Sequence, residues 1–321
     1  MTVRVVDAAK PEQHHQQQQK RASVITHTVA TQAAGGVSTI VLYPIDVVKM
    51  RFMSQDGTVQ RQHNRQTYRS ISEAFAAIYR EEGLRALFRG CHVAVLGAVV
   101  AWGVYMYLYR SLCAASEALV SRDGQGRMED FVRCSLLSAV ASCSSALVCN
   151  PIWLIKTRMQ LEELATGSSH GSTGNYSSFI RGTVFAVRST GFCSLWRGVS
   201  AQVLLGLPNA LNFPLYEVFK FYRLQRTCRD SLSTQDVCVC STVAKACVTV
   251  AAHPINVLKT RLQDHRSRCG ELQYVSLVQS VVLIWKRHGV RGIYRGIIPA
   301  FLQSVPRSVL TFVLYERFMH L

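Results

Sequence analysis

The sequence predicts an all-α membrane protein: six transmembrane helices in three repeats related by a pseudo-threefold axis. Three observations lead there: long uncharged apolar runs, a proline-centred motif written three times, and basic residues gathered in alternate loops. Residues 22–45, 91–109, 134–155 and 198–216 contain no Asp, Glu, Lys or Arg. Residues 237–258 hold one basic residue, as do residues 296–316 ahead of Glu316. A hydrocarbon core needs about 20 apolar residues per helix, so six spans are predicted. They are rich in Ser, Thr, Gly and Asn, which suits helices that pack closely around a wet cavity. A soluble helical-repeat protein would need polar outer faces that these segments lack.

The net charge of +17 is compatible with nucleic acid, anionic lipid or an anionic small molecule. Its placement is more selective, because segments 46–89, 156–197 and 259–295 hold 21 of the 36 Lys and Arg residues. The positive-inside rule puts those three loops on one side of the membrane and both termini on the other. No soluble basic face is visible, so no nucleic-acid partner is expected. The eleven cysteines lie mostly inside the apolar runs without metal-ligand spacing, so no metal site is expected. No phosphate loop, dinucleotide fingerprint or nucleophile motif is present, and neither an enzyme nor a bound cofactor is predicted. Residues 1–21, with HHQQQQ, read as a disordered polar tail, and no charged-then-apolar leader is seen.

The repeats run 22–116, 117–227 and 228–321, as one integrated membrane unit. PIDVVKMRF begins at Pro44, PIWLIKTRM at Pro151 and PINVLKTRL at Pro254. Each proline removes a helix hydrogen bond and predicts a kink. Beyond it, Asp46 shares a face with Lys49, Trp153 with Lys156, and Asn256 with Lys259, three residues apart in each case. A second motif follows in each copy: EGLRALFRG (82–90), TGFCSLWRG (190–198) and HGVRGIYRG (288–296). Every repeat therefore reads as span, basic loop with a short amphipathic helix, and span.

These paired motifs resemble the mitochondrial carrier family, over residues 22 to 321. The family's signature is Px[DE]xx[KR]x[KR] followed by [DE]Gxxxx[WYF][KR]G in each of three repeats. Trp153, Asn256, Thr190 and His288 depart from it by replacing acids. The resemblance implies a six-helix bundle in the mitochondrial inner membrane that moves a small molecule by alternating access. It also implies matrix-side basic loops, termini facing the intermembrane space, a monomer, and cardiolipin at the matrix side. A peroxisomal membrane is the alternative location.

By the same resemblance, a matrix gate pairs the acid of one odd helix with the base of the next. Asp46 and Lys156 keep a full ion pair. Trp153 can offer Lys259 only a cation–π contact, and Asn256 can offer Lys49 only a neutral hydrogen bond, so a weak gate is expected. At the opposite, cytoplasmic gate the resemblance points to Arg110, Glu217, Lys220 and Glu316. Partners are missing there too, unless Arg110 reaches Glu217 or Glu316.

A charge at bilayer depth is costly unless it serves a site, which singles out Lys245 and Arg307. Lys245 could instead snorkel or pair with a backbone carbonyl. Family contact points, counted from the motif glycines, fall on Gly97 and Ala98, Leu205 and Gly206, and Gln303 and Ser304. Asn209 and Arg307 stand one turn beyond Leu205 and Gln303, and Trp102 could stack on a planar ring or serve packing. Within the family the likeness is to folate, FAD and NAD carriers, then to pyrimidine nucleotide carriers. A non-transporting scaffold on the same fold is a further alternative.

Overall fold

A computed structural model describes residues 9–55, 68, 70–119, 127–162, 174–227, 234–264, 274 and 276–319. They are helical almost throughout. The order is α1 (Ala9–Ser54), α2 (Ile71–Glu82), α3 (Cys91–Leu119), α4 (Arg127–Leu161), α5 (Phe179–Thr190), α6 (Val199–Leu204), α7 (Gly206–Ala210), α8 (Asn212–Thr227), α9 (Thr234–Gln263), α10 (Leu277–Ile293) and α11 (Ile297–Met319). Helices α1, α3, α4, α9 and α11 are each long and apolar enough to cross a membrane. The first helix starts at Ala9, inside the segment predicted to be a disordered tail. Glu, Gln and Lys are good helix formers and extend the rod that begins in the membrane.

The fourth predicted span, 198–216, departs from a continuous rod. It is divided into α6, α7 and α8, with breaks at Leu205 and Leu211. Pro208 and Pro214 have no N–H to give the carbonyls of Leu204 and Ala210, four residues earlier. The backbone at both breaks stays right-handed, with φ −63° at Leu205 and −71° at Leu211. Hydrogen bonds resume from Asn209 N–H to Leu205 O and from Leu215 N–H to Leu211 O. The result is a bent segment with missing bonds rather than a loop.

Pro44, Pro151 and Pro254 lie inside α1, α4 and α9. The residue before each proline ties the kink to the start of the next span. Tyr43 Oη donates to Arg89 O at 3.0 Å, Asn150 Nδ2 to Leu195 O at 2.7 Å, and His253 Nε2 lies 3.1 Å from Arg295 O. The second motif turns on two glycines per repeat. Gly83, Gly191 and Gly289 have φ between 58° and 81°, and so do the closing Gly90, Gly198 and Gly296, at 76° to 82°. A Cβ in that region is strained, which is why the motif holds glycine at both ends.

The amphipathic loop helices start at serine caps, and Ser70 forms a full capping box with Glu73. Each packs an apolar face under its own kinked helix. Ile78 joins Val48, Phe52 and Tyr68; Ala186 joins Ile155, Met159 and Tyr176; Ile284 joins Leu258, Leu262 and Tyr274. Three like clusters thus support three kinks. Val41, Leu96, Leu136 and Ile298 are exposed, as a lipid-facing surface requires.

Three arginines lock the odd helices into a ring. Arg51 donates to Gln160 O and Glu162 O, Arg158 to Gln263 O, and Arg261 to Met53 O and Gln55 O, at 3.1 to 3.3 Å. All three are at most 2% exposed. The last carbonyls of a helix have no partner of their own and carry partial negative charge, so a cation from the neighbouring helix satisfies both needs.

Candidate functional site

The kinked ends of α1, α4 and α9 converge on one buried ion pair. Lys156 Nζ lies 2.7 Å from Asp46 Oδ2, with both side chains 14% exposed. Gln160 Nε2 donates to the same oxygen at 2.9 Å, and Lys49 Nζ stands 4.0 Å from the other. The Lys156 ammonium also lies over the Tyr43 ring, 5.7 Å from its centre. The expected ion pair is therefore formed. Gln160, two residues past the motif arginine, was not among the predicted gate residues.

The other two expected links take a different form. Among the described residues no cation–π contact joins Trp153 to Lys259. The Trp153 ring turns toward α3 instead, its Cη2 lying 4.0 Å from where a Cβ on Gly97 would sit. Helices α4 and α9 are joined by Thr157 Oγ1 donating to Gln263 Oε1 at 3.1 Å. Nor does Asn256 bond Lys49. Lys49 Nζ points to Gln303 Oε1 at 3.4 Å, while α9 meets α1 through Thr260 Oγ1 and the sulfurs of Met50 and Met53, at 3.9 and 3.8 Å. Lys259 is half-buried, lies outside the cavity lining, and forms no hydrogen bond or ion pair with described residues.

Above this closure lies a cavity of about 900 Å³ that runs from Asp46 and Lys156 to Thr31 and Tyr315. Ala98, Leu205, Asn209, Lys245, Gln303 and Arg307, predicted from sequence, all line it, as do Trp153 and Asn256. A second cavity, of about 1130 Å³, is bounded by α3, α4, α6 and α7 and lined by Trp102, Gly206 and a row of serines on α4. Trp153, Leu205 and Asn209 line both, so the two spaces adjoin across those residues. Gly97 lines neither. A Cβ there would come within 3.0 Å of Ile152 Cγ2, so its small size serves the packing of α3 on α4.

The two lobes differ in chemistry. Lys49, Lys156, Lys245 and Arg307 line the first, and Asp46 is its one acidic lining residue among those described. Arg307 Nη2 donates to Thr39 Oγ1 at 2.9 Å, and Lys245 Nζ has no partner among the described residues. An anion is the natural complement to such a surface. In the second lobe Trp102 and Tyr105 lie with ring centres 5.6 Å apart, and Tyr105 Oη is 2.9 Å from Ser138 Oγ. That wall offers flat apolar area edged by hydroxyls. Ser142, on this wall, precedes Pro151 by nine residues, as Lys245 precedes Pro254. Applying that offset to every repeat would have identified it in advance.

At the end away from the kinks stand Arg110, Glu217, Lys220 and Glu316. Arg110 makes no ion pair with Glu217 or Glu316, and Glu217 instead meets Lys220 on its own helix at 3.6 Å. Two contacts that span helices there are His27 Nδ1 to Tyr315 Oη, 2.8 Å, between α1 and α11, and the ion pair of Arg223 Nη2 with Asp236 Oδ1, 2.9 Å, between α8 and α9. Among the described residues, the ion pair that lines the cavity, Asp46 with Lys156, lies at the kinked end.

Comparison with known proteins adds lineage to this geometry. The family model described as mitochondrial carrier protein matches residues 20–115, 128–226 and 230–321. A chloroplastic folate transporter of Arabidopsis thaliana is 30% identical over 92% of this chain and 94% of its own length. A mitochondrial FAD carrier protein of Saccharomyces cerevisiae is 27% identical over 90% and 94%. A mitochondrial nicotinamide adenine dinucleotide transporter of Arabidopsis thaliana is 26% identical over 91% and 78%.

Proposed function

This chain belongs to the mitochondrial carrier protein family, and from that premise we propose that it carries a flat, anionic, nucleotide-like cofactor of the FAD, folate or NAD class. Membership makes it a multi-pass membrane transporter. The observation that carries the substrate reading is the pair of adjoining cavities: cations in one, and an aromatic, hydroxyl-edged wall in the other. The names of the folate, FAD and NAD relatives support the same class.

In this reading Lys245 and Arg307 hold the anionic part, and Trp102 and Tyr105 flank the ring. Leu205 and Asn209, at the junction, contact the linking portion. Alternating access follows from opening the Asp46–Lys156 closure while the far end of α1, α3 and α8 draws together, which would bring Arg110 within reach of Glu217 or Glu316. The residence is the mitochondrial inner membrane, as a monomer, with both termini opposite the basic loops. The apolar groove between Phe75 of α2 and Ile297 and Leu302 of α11 suits the acyl chains of cardiolipin.

Purified protein in liposomes tests this. It is expected to take up one of the three cofactors, and Lys245→Ala is expected to reduce uptake at least about tenfold, the cost of losing a charge-assisted contact. Normal uptake by a folded Lys245→Ala protein would contradict the site. Competition by UTP but not by FAD, folate or NAD would favour a pyrimidine nucleotide instead.

A further inference from the structure

The first repeat carries Asp46 where the third carries Asn256, and that exchange changes what Lys49 does. With asparagine rather than a carboxylate at position 256 of α9, Lys49 is left 4.0 Å from an Asp46 already held by Lys156 and Gln160. Its ammonium leans instead on Gln303 Oε1, inside the cavity. Lys49 on α1, Lys245 on α9 and Arg307 on α11 thus face one cavity from three helices, and among its described lining residues Asp46 is the one carboxylate. Resting on the transport reading above, we propose that Lys49 has been released from the gate to become a substrate-binding residue, and that with Lys245 and Arg307 it holds a diphosphate group.

The donor geometry favours a diphosphate over a carboxylate. A diphosphate diester presents four non-bridging oxygens on two phosphorus centres and can meet three cations from three directions. A carboxylate offers two oxygens in one plane and suits a single bidentate partner. Arg307 uses one nitrogen on Thr39, which fixes its guanidinium while leaving other N–H groups for the ligand. Gln303 separates Lys49 from Ser304, so the α11 wall adds neutral donors beside the cations.

The test is the thermal unfolding of the purified full-length protein against inorganic pyrophosphate, orthophosphate and glutarate, since a ligand that prefers the folded state raises the midpoint. Pyrophosphate is expected to stabilise the native protein at the lowest concentration. In Lys49→Gln the half-effective concentration should rise about tenfold. Asn256→Asp keeps the lysine but returns a carboxylate to α9; it should weaken pyrophosphate by a similar factor while raising the unliganded midpoint. Unchanged pyrophosphate response in both variants overturns the role of Lys49, and glutarate acting as well as pyrophosphate overturns the diphosphate assignment. Cofactor uptake by the native protein, measured in parallel, reports on the transport reading alone: it can persist while this inference fails.

Discussion

The first repeat and the other two solve the same closure with different chemistry. Repeat one keeps both of its acids. Asp46 pairs with Lys156, and Glu82 accepts two hydrogen bonds from the buried Arg51. In repeats two and three the acids are replaced by Trp153, Thr190, Asn256 and His288. There the arginines Arg158 and Arg261 rely on Tyr176 and Tyr274 hydroxyls, at 2.9 and 3.0 Å, and on neighbouring carbonyls. The difference shows that the ring is held in common by buried arginines reaching the next helix end, whereas charge neutralisation is concentrated in one repeat. Two of the three helix junctions thus lack an ion pair like Asp46–Lys156 among the described residues, which lowers the cost of parting them.

Breaking the charged junction should have the largest effect. Asp46→Asn leaves Lys156 half-buried without a counter-ion, and removing one partner of a buried pair costs about 3–5 kcal/mol. A marked fall in the thermal midpoint and faster labelling of a cysteine placed beneath the gate are expected; an unchanged midpoint would mean that the pair contributes little to this closed state. Repairing a neutral repeat should have a smaller effect in the opposite direction. Thr190 occupies the place of Glu82, and Arg158 Nη2 is buried without a hydrogen-bond partner among the described residues. Thr190→Glu is expected to stabilise by about 1 kcal/mol, the net worth of a charge-assisted bond less its desolvation. A destabilised Thr190→Glu protein would show that the repeats are not interchangeable at this position.

Much of this was legible in the sequence because the motif is physical at each position. Proline marks the kink, the two glycines mark turns that a Cβ would strain, and uncharged runs mark the spans. The broken fourth span escaped a reading based on charge, although Pro208 and Pro214 were in plain view. Hydropathy counts side-chain charge and is blind to a missing backbone donor. Side-chain direction escaped it as well. Trp153 and Lys259 stand at corresponding places in neighbouring repeats, yet the ring packs toward α3 rather than over the ammonium. Lys49 likewise turns to Gln303, 254 positions away in the chain. The partners of Arg51, Arg158 and Arg261 are carbonyls of the next repeat, and backbone acceptors leave no mark in a sequence.

The contrast between the charged and neutral junctions is tested most directly by two double-mutant cycles read as thermal stability, one on Asp46 and Lys156 and one on Trp153 and Lys259. Contacting partners couple by about 0.5–3 kcal/mol, and independent residues by less than about 0.5 kcal/mol. The account predicts a coupling in the upper part of that range for Asp46 with Lys156 and none resolvable for Trp153 with Lys259. A coupling between Trp153 and Lys259 as large as that of the ion pair would contradict it.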